Sequence, residues 1–241
     1  MPNLHIEHET SSLYSNFDYN RDLTKIAYQT DPHGDLAIYD VKSGTVTNIE
    51  EENVFFDTLL PWYKWSHDGN QIAQIGDMII KSDSFYHHEL FIYDSDGKGG
   101  RVSDFMSAYK EINIPGIAWS PDGQSVAFWA YVKPIGKQVQ KSQTVFFVYE
   151  LTTHNLVDYC IVYQYSKTAM GGGFGMGDIW SPDSTQVYLE VTNEPNRHDV
   201  ILDVLTGDVS VLPTAFFNPL LFSNICAIIT KLRTPVFSSM L

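Results

Sequence analysis

A nine-residue segment recurs along the chain and limits what it can fold into. Trp65-Ser66-His67-Asp68-Gly69-Asn70-Gln71-Ile72-Ala73 returns as Trp119-Ser120-Pro121-Asp122-Gly123-Gln124-Ser125-Val126-Ala127. It returns again as Trp180-Ser181-Pro182-Asp183-Ser184-Thr185-Gln186-Val187-Tyr188. A degenerate first copy reads Tyr19-Asn20-Arg21-Asp22-Leu23-Thr24-Lys25-Ile26-Ala27. The lead aromatics Tyr19, Trp65, Trp119 and Trp180 are spaced 46, 54 and 61 residues apart. Self-similarity at a period of this size marks a repeat architecture, in which each unit buries its apolar face against the next.

The physics of one unit is legible. Ser-Pro-Asp-Gly suits a tight turn: Pro presets φ at the second position, Asp tolerates the third, and Gly relieves strain at the fourth. β-branched and aromatic residues flank it, so it joins two antiparallel strands. Ser66, Ser120 and Ser181, with Asp68, Asp122 and Asp183, are expected to bond turn backbone groups rather than to react or bind metal. A third strand follows in each copy, ending in an acidic residue: Tyr39-Asp40, Tyr93-Asp94, Tyr149-Glu150 and Leu202-Asp203. A short fourth strand comes after the next turn. No stretch carries a sustained helical period with caps. The expectation is an all-β fold, a β-propeller of four-stranded blades at about 15–54, 55–107, 108–165 and 166–214. Residues 215–241 have no blade signature and no acidic residue. They read either as a closing strand or as an aberrant end. The lead aromatics are expected in the core between blades.

Trp-Ser-Pro-Asp-Gly-x-x-Val-Ala followed by Val-Tyr-(Asp/Glu) resembles the WD-repeat-like blades of TolB-type β-propellers over residues 15–213. The same motif resembles the propellers of prolyl-oligopeptidase-type peptidases. Propellers of the first kind usually close with about six or seven blades, so four copies predict an open or incomplete ring, or one completed by another chain. The resemblance implies protein interaction, often in the bacterial envelope.

Composition narrows the function classes. Hydrophobic residues make up 44% of the chain and charged residues 18%, enough to bury a sizeable core. The formal charge of -14 repels a phosphate backbone, and only Lys133, Lys137 and Lys141 approach a basic cluster, so nucleic acid is not an expected partner. Membrane insertion is not expected, because the apolar run at 215–230 is short of the roughly 20 residues a spanning helix needs. Cys160 and Cys226 are too few for a disulfide scaffold or a four-thiolate zinc site. No cofactor is expected. Residues 1–14 carry no apolar core of a signal peptide. That places the chain in the cytoplasm by default, and in the cell envelope if the N-terminus continues upstream.

No Gly-x-Ser-x-Gly occurs, so the chain carries no nucleophile elbow of its own. The glycine run at 169–178 precedes a strand rather than a helix and lacks the phosphate-loop spacing. The central copies hold extra residues between their second and third strands, at about 76–89 and 130–143. Loops on a rigid scaffold are where binding concentrates. Phe85, Tyr86, His87, His88, Trp129 and Tyr131 in or beside them, with Phe174 and Met176 in the glycine run, are the candidate partner contacts. The first functional expectation is a non-enzymatic scaffold. It would bind a protein or peptide, of basic character given the acidic body, through loops at one propeller mouth. The alternatives are the gating propeller of a prolyl-oligopeptidase-type peptidase without its hydrolase domain, and a propeller enzyme acting on glycans. One physical expectation tests the repeat itself: Trp119→Ala lowers stability by roughly 3–5 kcal/mol. A thermal melt unchanged by the substitution would place Trp119 outside the core.

Overall fold

The computed structural model describes residues 17–29, 36–50, 54–55, 63–78, 87–135, 143–159, 179–193 and 196–212. They form four antiparallel sheets, one per repeat. The first sheet holds β1 (Phe17–Tyr19), β2 (Lys25–Gln29), β3 (Leu36–Asp40) and β4 (Val46–Ile49) in sequence order. The second holds β5 (Val54–Phe55), β6 (Tyr63–Trp65), β7 (Gln71–Met78), β8 (His88–Asp94) and β9 (Gly99–Arg101). The third holds β10 (Tyr109–Asn113), β11 (Ile117–Trp119), β12 (Ser125–Pro134), β13 (Gln143–Glu150) and β14 (Asn155–Tyr159). The fourth holds β15 (Gln186–Asn193), β16 (Asn196–Asp203) and β17 (Val209–Val211), with Trp180 bridged to Val187 in the first-strand position. In the two central sheets the first strand is in two pieces that pair with one long second strand. β5 and β6 both pair with β7, and β10 and β11 both pair with β12.

The recurring turn is closed in the same two ways in all four copies: the first side chain accepts from the backbone N–H five residues on, and the third-position Asp from the N–H two residues on. In the Ser copies, the Ser66, Ser120 and Ser181 hydroxyls donate to Oδ1 of Asp68, Asp122 and Asp183, each at 2.6 Å. The same Oγ atoms accept from the N–H of Gln71, Ser125 and Gln186. In the first copy Asn20 takes the serine's place, its Oδ1 accepting from Lys25 N–H at 2.9 Å, while Asp22 accepts from Thr24. The fourth turn position is left-handed throughout: φ is 74° at Gly69 and 69° at Gly123, but also 58° at Leu23 and 62° at Ser184.

The sheets stack face to face. Ala27, Leu36, Ile38 and Ile49 of the first pack on Trp65, Ile72, Phe91 and Tyr93 of the second. The opposite face of the second, Ala73, Ile75, Leu90 and Ile92, packs on Trp119, Val126, Phe128, Phe147 and Tyr149 of the third. The other face of the third, Ala127, Trp129, Phe146 and Val148, packs on Trp180, Val187, Leu189, Val200 and Leu202 of the fourth. Successive residues of a strand therefore enter different cores, which is why the central strands read as continuous apolar runs rather than as alternation.

Each stack is latched at the lead tryptophan. Trp65 Nε1–H donates to Asp18 O at 3.1 Å, Trp119 Nε1–H to Lys64 O at 2.8 Å, and Trp180 Nε1–H to Ala118 O at 3.2 Å. Each acceptor is the residue before the preceding lead aromatic. The first strands of neighbouring sheets also approach most closely, β1 with β6 and β6 with β11. They define the inner edge of the stack, and β4, β9, β14 and β17 the outer. This is the blade geometry of a β-propeller.

Two expectations change. Tyr19 is 45% exposed, whereas Trp65, Trp119 and Trp180 are buried, because among the described residues no sheet packs on the face of β1 that carries Phe17 and Tyr19. Much of the extra length in the central copies is strand rather than loop: Gly76 pairs with Glu89 and Asp77 with His88, and β12 stays paired to β13 as far as Val132 with Gln143.

The strained turn position yields a prediction. A left-handed non-glycine residue costs roughly 1–2 kcal/mol, and Leu23 is largely exposed. Leu23→Gly is expected to raise stability in chemical denaturation by about 0.5–1 kcal/mol. Gly123→Ala is expected to lower it by a similar amount.

Candidate functional site

A cleft of about 570 Å³ opens at the inner edge, at the end of the sheets that carries the recurring turns. That is within the size range of ligand pockets. The repeat explains its lining. Asp18, Lys64 and Ala118 precede the lead aromatics of the first three sheets. Arg21, His67 and Pro121 occupy the second position of the turns that follow, and Tyr19, Trp65 and Trp119 form the walls between the two rows. Arg21, Lys64 and His67 are exposed. Asp18 accepts from the backbone N–H of Trp65 and Tyr19, each at 3.0 Å. His67 Nδ1 lies 3.1 Å from Ser120 O. A carbonyl only accepts, so Nδ1 carries a proton, and Nε2 is left facing the cleft. Asp22, Asp68 and Asp122 turn back onto their own turns, and hydrogen bonds from Thr24 hold the Asp22 carboxyl below its usual range.

A buried polar knot lies between the second and third sheets. The Glu89 carboxylate, fully buried, accepts from the Ser103 hydroxyl and from the N–H groups of Phe105 and Met106 at 3.1 Å each. Burial pushes its carboxyl up, opposed by these donors. Ser103 Oγ in turn accepts from Leu90 N–H at 2.8 Å. Glu89 thereby ties down the 3₁₀ turn Phe105–Ser107 that links the two sheets. His88 Nδ1 accepts from Ile114 N–H at 2.8 Å, where the first strand of the third sheet is interrupted. Burial lowers the His88 pKa to about 3. With the serine and the carboxylate committed to each other and to backbone, the knot braces the interface. Among the described residues no group of three or more His, Cys, Asp or Glu side chains is placed to hold a metal ion.

The expected partner contacts fare differently. His87 and His88, expected in an open loop, are buried, since β8 begins at His88 and His87 bridges to Ile112. Trp129 is on β12 and buried against Phe146, ring centroids 5.0 Å apart, in the core of the third and fourth sheets. Its strand continues past the point where the repeat length suggested a loop. Tyr131 is half-buried and paired between Asn113 and Thr144. Phe85, Tyr86, Phe174 and Met176 lie outside the described residues. Met78 and His87, the described residues on either side of 79–86, lie at the end of the second sheet opposite the recurring turn. Sequence reasoning passed over Arg21 and Lys64. The one available signal was that Arg21 and His67 stand where the other two copies have Pro121 and Pro182.

Repeated four-stranded sheets latched in series define a chain of the β-propeller class. No family model matches it. Dipeptidyl-peptidase 5 of Porphyromonas gingivalis is 28% identical over 111 residues, which are 46% of this chain and 15% of that protein. Among solved structures, dipeptidyl peptidase 4 of P. gingivalis superposes on 86% of this chain and 34% of its own, with TM-score 0.55 and 13% identity. TolB from Acinetobacter baumannii covers 82% of this chain and 43% of its own, with TM-score 0.44 and 18% identity. The chain spans less than half the length of each. The structural likenesses are of fold.

The knot makes stability depend on pH. His88 binds a proton near pH 6.5 when unfolded but only near pH 3 when folded. The contribution of His88 to stability is therefore complete above about pH 6.5 and is lost as pH falls through the interval below it, with a limiting slope of about 1.4 kcal/mol per pH unit. His88→Asn keeps an acceptor for Ile114 N–H and has no such proton. Its stability deficit against the wild type, read by denaturation between pH 7.5 and pH 4, should shrink as pH falls. A constant deficit would mean that His88 titrates normally.

Proposed function

We propose that the chain is a non-enzymatic β-propeller scaffold that binds a protein or peptide partner at one propeller mouth, and that this mouth is the turn-bearing end where the cleft opens. The cleft itself carries this reading. It is concave, about 570 Å³, and built from three successive sheets, so its shape is held by the core rather than by any one loop. The titratable side chains that look most like chemistry are committed elsewhere. The repeated serines and aspartates close turns, and Glu89 and His88 brace an interface. The acidic body favours basic character where a partner meets the outer surface, and association that weakens with salt.

The likeness to dipeptidyl peptidases supports a second reading. In it this chain is the propeller portion of a serine peptidase, and the cleft end faces a hydrolase domain. The two readings differ in what is captured. The purified chain is used as bait, alongside a Tyr19→Ala/His67→Ala variant and a variant with residues 79–86 replaced by a Gly-Ser linker. Capture that is lost in the double variant and retained in the linker variant is expected. Capture lost only in the linker variant would move binding to the other end and overturn the assignment of the mouth. A captured protein that carries Gly-x-Ser-x-Gly and cleaves a chromogenic dipeptide substrate would establish the peptidase reading instead.

A further inference from the structure

We infer that Arg21 and Lys64 receive the carboxylates of an acidic peptide segment entering the cleft. This deepens the proposed function and rests on the cleft end being the binding mouth. The chain as a whole carries a net charge of -14, yet the ionic side chains of the cleft lining are two cations and one carboxylate. The carboxylate is already engaged, since Asp18 accepts from Trp65 and Tyr19. The cations are not. Lys25 pairs with Asp96, and Lys133 with Glu111, whereas Arg21 and Lys64 form no ion pair among the described residues, despite the surrounding acid.

The fold does not ask for either cation. Arg21 stands at the turn position that Pro121 and Pro182 fill in other copies, and Lys64 at the position of Ala118 and Ile179. The turn is closed by the Ser or Asn and Asp side chains, and the latch uses only the Lys64 carbonyl. Both side chains are exposed, and both line one concavity. Arg offers a planar fork that matches a carboxylate, and Lys a point charge. Half-exposed Tyr19 supplies a flat wall beside them, and His67 Nε2 a polar contact for the backbone of the same peptide. The local sign opposes that of the body, so the cleft selects by charge: an acidic segment is repelled by most of this surface and held at one place.

The test uses the full chain and a fluorescein-labelled hexaglutamate probe, read by anisotropy, with hexalysine and inorganic phosphate as comparison probes. Hexaglutamate is expected to bind at about 0.02 M salt and to weaken at about 0.3 M, where the Debye length is short. Arg21→Gln/Lys64→Gln is expected to bind roughly tenfold or more weakly, a loss of about 1.4 kcal/mol, with an unchanged melting temperature, because neither side chain is packed. Phosphate is expected to compete weakly, having one anionic group where the peptide has several. The inference is overturned by no binding of hexaglutamate, by equal binding to the double variant, or by stronger binding of hexalysine in the cleft. If hexaglutamate fails while partner capture still depends on Tyr19 and His67, only the charge assignment falls. If both fail, the cleft is not the binding mouth.

Discussion

A buried indole has one polar atom and needs one acceptor. In this chain that need aligns the sheets. Trp65, Trp119 and Trp180 each bring a large ring into an inter-sheet core and donate Nε1–H to a backbone carbonyl of the preceding sheet. The net worth of such a bond is modest, about 1 kcal/mol, but an unmet donor at that depth would cost about 1–3 kcal/mol. The acceptor is at the same repeat position each time, so the bond sets the stacking register as well as the distance. Every larger feature inherits that register, including the convergence of the first strands and the division of each central sheet between two cores.

The cleft is a consequence of the same latch. Asp18, Lys64 and Ala118 supply the latch carbonyls, and the same three residues line the concavity. Backbone holds the frame while side chains remain free to vary. The turns follow the same division of labour. Their closure depends on the first and third side chains and on a left-handed fourth residue, which leaves the second position unconstrained. Pro, His and Arg all appear there, and Arg21, His67 and Pro121 all face the cleft. Residues that a repeat does not need are where a repeat protein can acquire a ligand preference, and here they oppose the charge of the whole.

Some of this was visible along the chain and some was not. Trp-Ser-x-Asp-Gly is a local signal: its turn bonds run between residues at most five apart, so Ser66, Asp68, Ser120 and Asp122 could be assigned from spacing. Burial of the three tryptophans followed from their recurrence. Tyr19 did not follow, because burial needs a neighbour on the other side, and repetition says nothing of what stands beyond the first unit. His87 and His88 looked like loop because the extra length between strands could not be divided between loop and longer strand. Two additional β7–β8 pairs, Gly76 with Glu89 and Asp77 with His88, settle it, and each joins residues more than ten apart. Glu89 has no local signature at all. Its donors come from Ser103, Phe105 and Met106, beyond the next strand.

The order of residues along the chain was enough to establish a series of aromatic-led, four-stranded units, since turns and short apolar strands between them are short-range physics. Which face of each unit meets which, how far the central strands run, and that Asp18, Arg21, Lys64 and His67 share one concavity were decided only by the packed fold. These outcomes depend on contacts between units about fifty residues apart, and such contacts form only when the indole latches bring successive inner strands together.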